Sequence, residues 1–388
     1  MTHLFKTLAV VALAAATLVS CQKENVTPDN NGTEPVDAQA TAIITQFVDY
    51  TVAPTYTALA AQTEQLANEL AALKANPSQT ALQTACNTFL AARAEWEKSE
   101  AFLFGAATDF GIDPHIDSWP LDVTGFNTLM NSPSMLAQLA GDEGDVWAGS
   151  YLGDALLGFH GIEYILFANG NPKQVSDITA DQWTYAVAVA GDLRNRCFQL
   201  EVSWLGDAAP ATHIEKVEEL ELQMGIGGGD LTYGENLKHS GHAGSTYQSA
   251  VAGLMQIVDG SKTIADEVGT SKIGAAYTGE DVTYIESPYS HMSITDFHNN
   301  IVSIRNAYMG GAEGQRDESR SLHALVAAHN ADLDSRVVAA IDNAIAKIDA
   351  MPAPFVNNIS APANGEAMEA CQAIDEIFSE VNEMLRTL

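Results

Sequence analysis

The chain has 388 residues, of which 46% are hydrophobic and only 18% charged; 18 Lys+Arg stand against 50 Asp+Glu, for a formal net charge of −32. A surface of this sign repels phosphate backbones, which argues against nucleic acid as a partner and leaves cations, cationic partners or plain solubility as its use. The length is more than one compact core usually takes and points to two domains.

From the N-terminus, Lys6 precedes an apolar run, Leu8–Val19, that is too short to span a bilayer as a mature helix. It ends in Leu18-Val19-Ser20-Cys21, the pattern of a lipoprotein signal: residues 1–20 are expected to be cleaved and Cys21 lipidated. Residues 21–36, rich in Asn, Pro, Thr and acids, read as a flexible tether. The expected location is therefore the bacterial cell envelope, with the protein lipid-anchored to the outer membrane on its periplasmic or surface face. Cys86, Cys197 and Cys371 lie far apart in helical apolar patterns with no Cys-x-x-Cys, which points to buried thiols.

The body reads as helix throughout. Asp37–Ala75 is amphipathic with a kink expected at Pro54, and Ser78 caps a second stretch running to Phe104 and stopped by Gly105. Short helices are expected near Thr124–Met130 and Ser134–Leu139, then one long helix over Asp145–Ala168, closed by Asn169-Gly170. Thr179 caps Ala180–Leu205. The second half follows with His213–Gln223, a Gly-rich break at Gly225–Gly229, and helices at Ser245–Val268, Ser293–Met309, Ser321–His329, Asp332–Ala350 and Gly365–Leu388. Tyr277–Ile285 allows at most a short hairpin. The Gly225–Gly229 run has no Gly-Lys-Ser/Thr and no strand ahead of it, so it is a connection rather than a phosphate loop. The fold class expected is all-α, two tandem helical-bundle domains over 37–205 and 206–388.

Charges appear where core residues belong. At about 100° per residue, Phe159, Glu163 and Leu166 share an apolar stripe with Leu152 and Leu156, and His160 stands at its edge. On the preceding long helix, Arg93 and Glu100 point with Leu82, Cys86 and Phe89. Around Ser293–Met309, a polar stripe of Asp296, Asn300 and Ser303 runs beside Ile294, Phe297 and Ile301. A carboxylate buried without a partner costs several kcal/mol or takes up a proton. Two readings fit: a structural network in which Arg93 neutralises Glu100 or Glu163, or a site in which His160 and Glu163 converge with Glu100 and loop acids such as Asp117.

These residues also form longer motifs. Gly158-Phe159-His160-Gly161-Ile162-Glu163 resembles the Gly-x-His-x-x-Glu signature of the imelysin family. Arg93, Trp96, Ser99–Phe102 and Gly105 resemble the family's preceding helix, and Ile116-Asp117-Ser118-Trp119-Pro120 its loop. Asp296, Asn300, Ile304, Ala307-Tyr308 and Gly310, followed by Ser321-Leu322 and Pro354-Phe355, resemble its C-terminal signature. The resemblance runs from about Val36 to Leu388. It implies an all-α, two-domain envelope protein tied to iron uptake, with some members described as metallopeptidases. On it rests the expectation of a cleft between two helical domains that binds a metal ion or metal-bearing ligand, iron or another divalent metal, with partners in envelope uptake. His160 and Glu163 are the expected metal ligands, with Arg93, Glu100, Asp117 and Ser118 beside them from the first domain and Asp296 and Asn300 from the second. The alternatives are a metallopeptidase using His160 and Glu163 as ligands, and a non-enzymatic adaptor whose polar core is purely structural. A catalytic zinc site usually offers three protein ligands plus a base, and no His-Glu-x-x-His is present, so binding is the favoured expectation.

The lipid anchor is directly testable. Each buried CH₂ of an acyl chain contributes about 0.8 kcal/mol to membrane affinity. Cys21→Ala is expected to move the protein from the membrane to the soluble fraction with an unchanged circular dichroism spectrum; a variant that still sediments with membranes contradicts the anchor.

Overall fold

The computed structural model describes residues 35–229 and 231–388. The expected signal peptide, Cys21 and the tether up to Glu34 lie outside the described residues.

The fold is all-α. In chain order the helices are α1 (Val36–Phe47), α2 (Ala53–Ala75), α3 (Gln79–Glu97), α4 (Ala106–Asp109), α5 (Ile112–Asp117), α6 (Val123–Met130), α7 (Pro133–Leu139), α8 (Gly144–Tyr151) and α9 (Gly158–Leu166). Then follow α10 (Ala180–Leu205), α11 (Ala211–Glu219), α12 (Tyr233–Lys238), α13 (Ala250–Glu267), α14 (Gly274–Thr278), α15 (Ser293–Met309), α16 (Leu322–His329), α17 (Ala331–Asp349) and α18 (Pro362–Leu385). The sheet among the described residues is one antiparallel pair, β1 (Phe167–Ala168) and β2 (Asn171–Pro172).

Packing follows from which helices are apolar on more than one face. α10 is buried over most of its length because α2 lies on one side and α8 and α9 on the other. α2 also packs on α3, while in the second half α18 packs on both α13 and α17. One hydrophobic cluster includes Ala40 and Leu385 and draws on both halves of the chain. α1 is at the start of the sequence yet packs on α13, so the first helix lies with the second half.

Two expectations need correction. The stretch 145–168 is two helices: α8 ends at Leu152 in extended backbone, and Gly158, with φ 63, starts α9. Leu152 and Leu156 therefore do not share a helix with Glu163. The stretch to Phe104 stops at Glu97, and Glu100 belongs to a separate 3₁₀ turn, Glu100–Phe102, so Arg93 and Glu100 are not on one helix face. Residues 277–285 form no hairpin; α14 ends at Thr278, Gly279 (φ 81) reverses the chain, and turns follow. Near Pro54, the chain widens into a π-turn, Val48–Val52, ahead of α2. The ring there removes a backbone donor and so disfavours the regular i→i−4 ladder.

The N-terminus of α10 carries a capping box. The Thr179 hydroxyl accepts from the Gln182 amide, and the Gln182 side chain accepts from the Thr179 amide. Thr179→Ala is expected to lower the unfolding free energy by about 1 kcal/mol in urea titration. A change of a few tenths or less would mean that tertiary contacts alone hold this end.

Candidate functional site

Six carboxyl groups, those of Glu97, Glu100, Asp117, Glu163, Glu286 and Asp296, are buried around Arg93, Lys272 and His160. Each element contributes for a local reason. α3 places Arg93 and Glu97 one turn apart on its inner face, and the 3₁₀ turn that follows sets Glu100 against α13 and α15. α5 ends at Asp117 and packs on α9, which carries His160 and Glu163. The approach is close because the two motif glycines have no side chain. A Cβ at Gly158 would meet the Ile116 carbonyl oxygen at 1.9 Å, and one at Gly161 would meet the Tyr185 hydroxyl at 2.3 Å.

Arg93 is 2% exposed and cannot shed its charge. Its guanidinium reaches Asp117, Glu97 and Glu286, with the Asp296 carboxylate 3.8 Å from Nε. Burial works against the cation, yet these four carboxylates carry its pKa well above the usual value. Lys272 is the second buried cation, 3.2 Å from Glu286, 3.5 Å from Glu100 and 3.6 Å from Glu97. Burial pulls its pKa down, but the same three groups override that and raise it. The Trp119 ring lies 5.3 Å from the ammonium nitrogen.

His160 stands between two acids. Nε2 is 3.1 Å from Asp117 Oδ1, and Nδ1 is 3.3 Å from Glu163 Oε2. Burial lowers the imidazole pKa, but these two hydrogen bonds outweigh it and raise it to about 9. Burial also opposes the Asp117 carboxylate; Arg93 and His160 prevail and hold it below the usual carboxylate range, while Trp96 Nε1 donates to its other oxygen at 2.7 Å. Glu163 is fixed from the far side: Oε1 accepts from the Tyr289 amide at 3.1 Å and from the Ser290 amide and hydroxyl at 2.7 Å. Burial raises Glu100 and Asp296 well above the usual range and Glu286 to about 7. The cluster has more carboxyl groups than cations, so some are held protonated.

The structure brings most of the expected residues together and separates two of them from their expected roles. Arg93, Glu100, Asp117, His160, Glu163, Asp296 and Asn300 all reach the cluster; Asn300 Nδ2 donates to Glu97. Arg93 does not pair with Glu100 or Glu163, contrary to the structural reading; its partners are Glu97, Asp117, Glu286 and Asp296. Ser118 lies outside, its hydroxyl donating to the Pro114 carbonyl at 2.6 Å to close α5. Sequence reasoning missed Glu97, Lys272 and Glu286. Glu97 was legible, four residues after an inward Arg on the same helix. Lys272 left a faint signal, one of few cations in the chain and set between Val268 and Ile273. Glu286 left none, because it sits in an irregular loop.

Three overlapping sets of donor atoms lie within 4.8 Å of one another: Asp117, His160 and Glu286; Glu97, Glu286 and Asp296; and Glu97, Glu100 and Asp117. Glu286 Oε2 is buried and has no hydrogen-bond partner. One imidazole nitrogen among carboxylate oxygens is a donor set of the kind that suits Fe²⁺, Zn²⁺ or Mn²⁺. Glu163 is not in these sets. In this geometry it bonds His160 Nδ1, while Nε2 faces Asp117.

The profile of the imelysin family matches residues 52–381, and the chain belongs to that family. It is 26% identical over 357 residues to iron-regulated protein A of Synechococcus elongatus, covering 89% of this chain and 86% of the relative. A Parabacteroides distasonis protein, provisionally named an iron-regulated protein A precursor, has a crystal structure that superposes with a TM-score of 0.78. It is 29% identical and covers 92% of this chain and 97% of its own. An imelysin-like protein from Psychrobacter arcticum 273-4 shares the fold at TM-score 0.60 and 15% identity, over 91% of this chain and 95% of its own.

The raised His160 pKa has a signed consequence. A group whose folded pKa lies above its unfolded value stabilises the protein fully below the unfolded value and loses that contribution as pH rises through the folded one. For His160 the window runs from 6.5 to about 9. Wild type is therefore expected to lose on the order of 3 kcal/mol more unfolding free energy than His160→Gln between pH 6 and pH 9.5, read by urea titration. Equal losses in both proteins would mean that the imidazole is not held as a cation.

Proposed function

We propose that this protein is an envelope-anchored metal-binding protein of iron handling, and that Asp117, His160 and Glu286 hold the ion. The observation that carries the reading is their convergence: one imidazole nitrogen and two carboxylate oxygens lie within 4.8 Å in a buried cluster richer in acids than in cations. An ion placed there would take over the role of the proton between His160 Nε2 and Asp117, and would meet a carboxylate oxygen of Glu286. The names of the similar proteins, which describe iron regulation, support iron as the cargo; oxygen and imidazole donors suit it. Lipidation at Cys21 would hold the protein at the membrane where such cargo arrives.

One observation favours a rival reading, a polar core that is only structural. Arg93 and Lys272 each contact at least three carboxylates, as in a closed network that fixes how the helices meet. The metallopeptidase reading draws less support: Glu163, the acid of the motif, is tied to the Tyr289 and Ser290 amides and is not poised over a free space as a base.

Thermal melts with and without Fe²⁺, Fe³⁺ or Zn²⁺ separate the readings. Ion at about 100 times Kd adds roughly 2.7 kcal/mol to wild type, a rise of several degrees in Tm. Asp117→Asn and His160→Ala are expected to abolish the rise, and Glu163→Gln to weaken it. A wild type that gains nothing from any of the three ions, beside variants that simply melt early, supports the structural network. Cleavage of a peptide library by wild type, lost in His160→Ala and Glu163→Gln, supports the peptidase.

A further inference from the structure

Beside the buried cluster is a cavity of about 220 Å³ between the 3₁₀ turn at Glu100, the α4–α5 segment and α13. Four carboxylates line it, those of Asp259, Asp113, Glu267 and Glu100, and no Lys or Arg does. Asp259 and Thr263 are exposed at its outer side, Asp113 and Glu267 are half-buried, and Glu100 is 6% exposed at its inner end. Glu100 Oε1 lies 3.5 Å from the Lys272 ammonium. On the inner side, donor atoms of Glu100, Glu97 and Asp117 lie within 4.8 Å of one another, and Asp117 holds His160. The cavity therefore ends on a carboxylate that belongs to the inner cluster as well. The cavities beside α11, between α15 and α17, along α8 and beside α7 border none of the cluster acids.

We propose that this cavity is the access route by which a hydrated divalent cation reaches the inner cluster, with Glu100 as the carboxylate that passes it inward. The proposal rests on the metal-binding reading above. An acidic surface alone would not mark a route, since the whole chain is acidic; the distinguishing feature is Glu100, more than nine-tenths buried, which lines the cavity and also belongs to the inner donor set with Glu97 and Asp117. Walls of low polarity, including Phe104 and Ile264, concentrate the field of those of its acids that are ionised, and so draw cations while repelling anions. Lys272 stands just inside. It ends a π-turn, Val268–Lys272, that continues directly from the α13 wall. Its ammonium spans Glu100 on the outer side and Glu286 and Glu97 on the inner side. Such turns are frequent at functional positions. Lys272 is in effect a tethered cation in the path, and the incoming ion takes over its contact with Glu100.

Stopped-flow tryptophan fluorescence on the full chain, mixing with Zn²⁺ or with Fe²⁺ under anaerobic conditions, tests the route. The double variant Asp113→Asn/Glu267→Gln is expected to slow association about tenfold at low ionic strength and to flatten its salt dependence, the scale of an electrostatic steering effect. The matched control Asp122→Asn/Glu143→Gln, which removes two exposed charges elsewhere, leaves the rate near that of wild type. Thr263→Trp, which fills the outer end, slows association and release together and leaves Kd unchanged, as blocking a path must. An unaltered association rate in both cavity variants overturns the route while leaving the metal site standing. A control as slow as the cavity variant also overturns it, since bulk charge then explains the effect. A wild type that binds neither ion, or binds with a Kd indifferent to His160→Ala, overturns the metal-binding reading itself.

Discussion

The burial of Arg93 is the constraint on which the centre of this protein depends. A guanidinium stays charged at any pH the fold survives, so the structure must supply anions to it from several directions. Glu97 comes from its own helix, Asp117 from the end of α5, Glu286 from the loop before α15, and Asp296 from α15 itself. Elements about two hundred residues apart in sequence are thereby locked to one another. A network of this kind gives little net stability compared with apolar packing, but losing a partner is costly. Its contribution is to specify one arrangement of helices, and it leaves a surplus of carboxyl groups that Lys272, His160 and bound protons offset.

The polar arrangement is possible only because the backbone around it takes unusual conformations. Gly158 adopts a left-handed φ and lets α9 start against the Ile116 carbonyl, which brings His160 to Asp117. The loop that delivers Glu286 has two non-glycine residues with positive φ, Ser287 at 48° and His291 at 61°. Between them, the Tyr289 and Ser290 amides turn toward Glu163. Conformations of this sort cost of order 1–3 kcal/mol each and persist where surrounding contacts enforce them. Here the enforcing contacts are the carboxylates themselves: one loop both presents Glu286 to Arg93 and Lys272 and fixes the acid that bonds His160.

Membership of the imelysin family and the geometry of the cluster bear on different questions. The family and the similar structures account for the helical architecture. The chemistry is carried by side chains that lie mostly outside the short motif. Glu286, Glu97 and Lys272 determine much of the charge balance, and Glu163 bonds both His160 and the Tyr289 and Ser290 amides. A cluster of this composition is suited to a cation held by oxygen and nitrogen donors, and the acidic cavity ending at Glu100 is consistent with the same cargo.

The sequence by itself determined the helical class, many of the helix positions and the presence of misplaced charges, because these follow from local patterning. Apolar spacing of 3.6 residues fixed α10 and α15 to the residue, with Thr179 marking the start of the former, and the Gly-x-His-x-x-Glu motif with its companion segments located most of the polar residues. It did not determine where α8 gives way to α9 or where α3 stops. The reason is that Gly158 and Ser99 break the pattern for tertiary purposes, one to approach Ile116 and the other to bond back to Trp96. Nor could it say which acid serves which cation. Arg93 and Glu100 looked like partners by helical phase, but the 3₁₀ turn rotates Glu100 toward Lys272, and Arg93 takes Glu286 from a loop with no periodic signal. Pairing of buried charges is decided by distances across the packed core, and those exist only once the two halves of the chain have come together.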